Sequence, residues 1–228
     1  MKELLLKGIY ETFYMTAVST AFAYLFGIPL GVIVYITDSK GICKNKAINF
    51  ITGVIINIVR SIPFLILLVA ILPFTKKIVG TTIGSTATIV PLVVASAPFV
   101  ARLVESSLKE IDDGIIEAAK AMGSSTFQII FKVLLPEAKP SLLVGATIAA
   151  ATILGYSAMA GFVGGGGLGA IAINYGYYRY QGDIMLITVV LLVIIVQIFQ
   201  EAGIKIVNKI DKRLKWLIFI QKLSFIKH

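Results

Sequence analysis

One cysteine, Cys43, and one histidine, His228, are all that this 228-residue sequence contains of the two most versatile metal-ligating side chains. A single thiol excludes an internal disulfide framework. A single imidazole at the last position leaves no Cys/His metal set and no Ser-His-Asp triad, which weighs against an intramembrane metalloprotease. Charge is scarce, at 14% of residues. No G-x-x-x-x-G-K-[ST] loop occurs, so the chain has no P-loop of its own for ATP. GGGGLG from Gly164 to Gly169 satisfies G-x-G-x-x-G only formally, because it follows a long apolar run rather than a strand of a βαβ unit. Those glycines, with Gly155 and Gly161, are better read as sites of close helix contact and a pliant end for the preceding span.

What the sequence has in abundance is apolar surface: 57% hydrophobic residues and a mean hydropathy of +0.92. Such a chain cannot cover itself with polar groups, so an all-α integral membrane protein is expected. A helical span needs roughly 20 apolar residues. Five runs qualify, at about 13–36, 48–72, 83–104, 141–163 and 184–204. A single transmembrane domain over 1–228 is expected, with a polar loop at about 105–140 between the third and fourth spans and a basic C-terminal tail over 205–228. The N-terminus does not read as a cleaved signal: Glu3 and Glu11 interrupt it, and the first apolar run is too long.

With five spans the termini lie on opposite sides, and the basic residues decide which is which. Fifteen Lys and Arg fall in the segments 40–46, 102–139 and 205–227, against five at Lys2, Lys7, Lys76, Lys77 and Arg179. The positive-inside rule then predicts an outer N-terminus, a cytoplasmic 105–140 loop and a cytoplasmic C-terminus. The net charge of +9 is dispersed over loop ends beside apolar spans instead of gathered on a soluble face, which argues against nucleic acid as a partner.

The 105–140 loop has its own periodicity. Ile115, Ala118, Ala119 and Met122 recur at three- and four-residue steps, predicting one apolar stripe on a short helix that Gly123 ends. Ser125 and Gln128 stand at capping-box spacing, and Phe127, Ile130, Phe131 and Leu134 predict a second stripe that runs until Pro136. The segment reads as two short helices meeting at a glycine elbow. An ordinary amphipathic helix on the membrane surface is the plainer alternative.

Arg60 is the one basic residue deep inside a predicted span, 12 residues in, about 18 Å along a helix axis and so near the bilayer midplane. Lipid exposure there costs a few kcal/mol. It therefore faces either a pathway or cavity beside a bend at Pro63, or it holds unwound backbone carbonyls near that proline. Tyr156, Ser157 and Met159 offer a polarizable, weakly polar surface in the fourth span suited to a small zwitterion with a soft side chain, with plain packing as the alternative.

The spacing of Glu117-Ala118-Ala119, Gly123 and Leu135-Pro136 resembles the cytoplasmic loop of permease subunits of ABC-type importers. Glu117, Ala118, Ala119, Gly123 and Pro136 match that motif position by position, and Val133 stands where the family often has Ile. The resemblance implies that this loop, including Met122 and Phe127, forms a coupling helix docked on a separate ATPase. RSIPF (60–64), VGTTIG (79–84), APFVAR (97–102), GYSAMAGFVGGGGLG (155–169) and YGYYRYQ (175–181) together look like the permease subunit of methionine importers, over about Thr12 to Arg213. That similarity implies a non-enzymatic permease in the cell membrane. It further implies a homodimer with two ATPase subunits that bind ATP and magnesium, no cofactor on this chain itself, and a lipid-anchored methionine-binding protein outside. D-methionine and related small amino acids stay open as substrates. An ATP-independent secondary transporter or channel is the alternative, argued from Arg60 and a third span broken at Pro91 and Pro98, although no internal repeat supports it. The segment from Trp216 to His228 extends beyond the resemblance and reads as a basic interfacial helix touching lipid.

Overall fold

The computed structural model describes residues 1–210. The segment from Trp216 to His228, read above as an interfacial helix, therefore lies outside the described residues. Within them every regular element is helical.

Four helices are long and apolar enough to cross a membrane. The first, α1, spans Lys2–Thr37. Thr12, Thr16 and Thr20 donate their hydroxyls to the carbonyls four residues back, at 2.8, 2.8 and 2.7 Å, so these polar side chains are satisfied within their own helix. Next come α2, Lys46–Ser61, and α3, Phe64–Ala70, which would make one further span if taken together. They are bent by 102° at the Ile62-Pro63 junction. Ile62 is extended because the Pro63 ring disfavours a helical residue before it. The predicted second span is thus not one continuous rod. A short helix α4, Leu72–Val79, follows and ends on Gly80.

The third long element, α5, runs unbroken over Ser85–Lys109 with Pro91 and Pro98 inside it. The expected break is not found. Each proline deletes one rung of the hydrogen-bond ladder, but α5 packs along α1 over much of its length, and that packing retains the helix. Gly27 and Gly31 make the approach possible: a Cβ on Gly27 would lie 2.5 Å from Val100 Cγ1, and one on Gly31 would lie 2.5 Å from the Ala101 carbonyl. Small residues four apart let two apolar helices touch backbone to side chain where burial from water supplies no drive.

After the loop elements described below, α9 spans Lys139–Met159 and tightens into a 3₁₀ turn at Ala160–Val163. A glycine turn leads to α10, Gly167–Ile171, a π-helical turn at Ala172–Tyr177, and α11, Gly182–Ile210. The glycine turn is stitched down on two sides. The Glu11 carboxylate accepts from Gly167 N at 2.8 Å, Thr12 Oγ1 accepts from Leu168 N at 2.9 Å, and Thr88 Oγ1 donates to Gly165 O at 3.1 Å. It is a pinned junction where the sequence suggests a pliant end. Gly161 makes the predicted close contact, against the Gly169-Ala170 backbone, whereas a Cβ on Gly155 would meet nothing within 4 Å.

The core lies between α1, α5 and α9, with Met15, Leu92, Val100, Val104 and Ile153 fully buried. The outer flanks of α2 and α11 are exposed Ile, Leu and Val. That surface suits lipid or another apolar protein and not water.

Candidate functional site

At the end of the bundle where α5 stops, the chain builds an elbow. α6 spans Asp113–Ala121, and Asp112 caps it by accepting from Gly114 N at 2.8 Å. The helix ends as predicted. Gly123 takes the left-handed conformation, φ +76°, and its N–H reaches Lys120 O at 2.9 Å while Ser124 N reaches Ala119 O at 3.1 Å. The chain restarts at α7, Thr126–Gln128, with both halves of the capping box formed.

The second helix departs from the expected one. It widens into a π-helical turn at Ile129–Leu134 and continues as α8, Leu135–Glu137, so it does not stop at Pro136. Leu135 N bonds five residues back, to Ile130 O, in the wider register. Pro136 then sits in the first turn of α8, where its missing N–H is tolerated.

The apolar stripes are divided between two faces. Ile116, Ala119, Ile129 and Leu134 are buried in the main core. Ile115, Met122, Phe127 and Phe131 point away from it, with Met122 79% and Phe127 68% exposed. The Phe127 and Phe131 rings lie 4.4 Å apart, tilted by 39°. Of the residues expected to couple to an ATPase, Glu117, Ala118, Met122, Gly123, Phe127 and Pro136 are exposed, and Ala119 is an internal packing residue. Ala119 belongs to the stripe of Ile116, one residue removed from that of Ile115. An exposed apolar ridge rimmed by Glu117, Lys120 and Lys132 is seated on a buried face that fixes its position, and a surface of that kind suits a protein partner or a membrane surface.

Arg60 lies in the last turn of α2, exposed, and makes no hydrogen bond or ion pair among the described residues. It does not hold the carbonyls around Pro63. Below that proline Phe64 stacks on Tyr156, rings 4.6 Å apart and 6° from parallel. Met159 is exposed, but Ser157 is buried and donates its hydroxyl to Leu154 O at 2.7 Å, within its own helix.

One turn before Arg60 is a cluster that sequence reasoning missed. Asn57 Oδ1 accepts from Arg102 Nη2 at 2.9 Å; Arg102 Nη1 also bonds Glu105 at 2.5 Å, and Lys109 Nζ donates to the other Glu105 oxygen at 2.6 Å. Lys109 lies 3.8 Å from Asp38, just past the end of α1. Asp38 is held below the ordinary carboxylate range, chiefly by the Ser39 amide and hydroxyl and less by Lys109. The only sequence signal was R-x-x-E-x-x-x-K, Arg102 to Lys109, at helical spacing.

A family model described as binding-protein-dependent transport system inner membrane component matches residues 27–208. The chain is 52% identical over 211 residues to a probable D-methionine transport system permease protein MetI of Vibrio cholerae, covering 92% of this chain and 94% of that one. It is 47% identical to a methionine import system permease protein MetP of Bacillus subtilis, covering 90% and 92% of the two chains. In three dimensions it resembles a chain of the MetNI methionine ABC transporter in inward facing conformations, with TM-score 0.92, 50% identity and coverage of 93% and 98%. A structure of an amino acid ABC transporter, at TM-score 0.75 and 19% identity, shares the fold.

Proposed function

This chain belongs to the family of binding-protein-dependent transport system inner membrane components, and from that membership we propose that it is the membrane permease of an ATP-driven methionine importer. The observation that carries the proposal is the elbow: an exposed ridge of Ile115, Met122, Phe127 and Phe131 held rigid by its buried underside. It stands at one end of a set of apolar helices, and the chain is about half identical to a methionine transporter subunit throughout. A channel or secondary transporter has no use for a preformed docking ridge of this kind.

In this reading α2 and α3 together complete a fifth span, the N-terminus lies outside, and the elbow lies in the cytoplasm as the positive-inside count requires. Two copies of the chain form the translocation path, and each seats one ATPase subunit on its elbow. ATP and magnesium are bound by those subunits, since this sequence has no phosphate-binding loop. A lipid-anchored binding protein delivers the substrate from outside. Closure of the ATPases draws the two elbows together and turns the path outward; hydrolysis resets it. Arg60, with Tyr156 and Met159, faces the path, and Ser157 serves the helix instead. The D-methionine designation of the Vibrio cholerae relative supports D-methionine as a substrate beside the methionine named for the Bacillus subtilis one.

The test is methionine uptake into proteoliposomes containing this chain, its ATPase, its binding protein and internal ATP, beside a Gly123→Leu variant. A side chain is strained at φ +76° whatever the space around it, so the elbow of the variant is distorted. ATP-dependent uptake that the variant loses is the expected result. Uptake indifferent to ATP would overturn the importer reading.

A further inference from the structure

Glu105 is 7% exposed, and both of its oxygens are engaged by cations, Arg102 and Lys109, on its own helix. A buried carboxylate between two cations costs desolvation and needs good geometry to persist. Here it holds two long side chains in fixed directions. Arg102 is aimed across to α2, where it donates to Asn57 and passes over Gly53 one turn earlier, at an ordinary contact distance. Lys109 is aimed at Asp38 in the turn between α1 and α2.

That turn touches the elbow as well. Cys43 Sγ lies 3.6 Å from Thr126 Oγ1, in the first position of α7, and Asn49 at the start of α2 donates to Val34 O at 2.7 Å, tying α2 back to α1. The elbow itself begins only a few residues beyond Lys109, at Asp112 and Asp113. A displacement of the elbow therefore reaches α2 by two routes, one through the α1–α2 turn and one through Glu105, Arg102 and Asn57. Arg60 lies one turn further along that same helix.

We propose that Glu105 is a positioning residue: by clamping Arg102 and Lys109 it makes the root of the elbow, the α1–α2 turn and α2 move as one body, so that motion imposed on the elbow is delivered to the Arg60 segment. The proposal rests on the importer reading. Its signature is efficiency, not activity: with the strut broken, the ATPases still dock and still hydrolyse ATP, but fewer methionine molecules cross per ATP.

The experiment uses the complete complex in proteoliposomes and measures uptake and ATP hydrolysis together for wild type, Asn57→Ala, Asn57→Asp and Glu105→Gln. Asn57 is exposed, so Asn57→Ala cuts the link to α2 without opening the core. We expect uptake per ATP to fall about fivefold in Asn57→Ala and Glu105→Gln, the size typical of a residue that carries coupling without touching ligand. Asn57→Asp, which keeps an acceptor for Arg102, should stay near the wild-type ratio. An unchanged ratio in Asn57→Ala, or a raised KM for methionine with the ratio unchanged, would overturn the proposal. So would Asn57→Asp failing as badly as Asn57→Ala, or uptake and hydrolysis falling in proportion. Should Glu105→Gln fail to assemble, the Asn57 pair decides alone. A wild-type complex that hydrolyses ATP but imports no methionine defeats the importer reading, and this inference with it.

Discussion

Ser125 and Gln128 hold each other's backbone: Gln128 Oε1 accepts from Ser125 N at 2.8 Å, and Ser125 Oγ accepts from Gln128 N at 3.3 Å. This reciprocal pair restarts the helix two residues after Gly123 has ended the previous one, and so sets the angle at which Phe127 is presented. Ser125→Ala removes one half. The expected loss is about 1 kcal/mol of local stability, which is roughly fivefold faster hydrogen exchange at the amides of 126–129. Exchange measured by mass spectrometry on the detergent-solubilised chain checks it, and unchanged rates would mean that packing of Ile129 alone starts the helix.

The exposed apolar ridge makes a second prediction. Met122 and Phe127 are exposed and carry no core contact, so truncating them should leave the permease folded. Phe127→Ala and Met122→Ala should each weaken association with the ATPase subunit, by about thirtyfold if they are centres of the interface. Binding of purified ATPase to immobilised permease is the measurement. Ala119→Leu is expected to behave differently, lowering thermal stability by overpacking, because Ala119 is 2% exposed.

Gly31 and Gly155 make a matched pair. A Cβ on Gly31 would lie 2.5 Å from the Ala101 carbonyl and 2.7 Å from Val104 Cβ; one on Gly155 would meet nothing within 4 Å. Gly31→Ala should therefore destabilise by about 1–3 kcal/mol through separation of α1 and α5. Gly155→Ala should lower the melting temperature of the monomer not at all. Thermal unfolding of the two variants in one detergent separates them.

Arg60→Gln tests the path. Arg60 has no partner among the described residues to release, so its replacement should leave assembly and ATPase docking intact. Loss of a charged hydrogen bond to a passing carboxylate, worth about 1.5–3 kcal/mol, corresponds to about tenfold or greater loss of uptake. Uptake equal to wild type would remove Arg60 from the path.

Local chemistry was legible in the sequence where one segment decides it alone. The Gly123 stop, the Ser125–Gln128 box and the Pro63 bend each depend on residues within four positions, and they are found where the spacing places them. The apolar periodicity of α6 was legible too, but not its orientation. Ile115 and Ile116 sit about 100° apart on the helix, and each has small apolar residues following at helical steps. Either could have been the buried one. The prolines of α5 misled for a related reason: a proline reports a missing hydrogen bond, but whether the helix breaks depends on the neighbour that supports it.

The sequence by itself determined the solvent of this protein, its all-helical class and the existence of an elbow between two long apolar segments, because composition, run length and capping act on nearby residues. Only the tertiary structure decided which face of the elbow is free, how Gly27 and Gly31 bring α1 against α5, and that Arg102 reaches Asn57 from 45 residues away. Those relationships depend on the path the chain takes between their members. No periodicity within either segment encodes that path, because each helix satisfies its own backbone and leaves its choice of neighbour to packing.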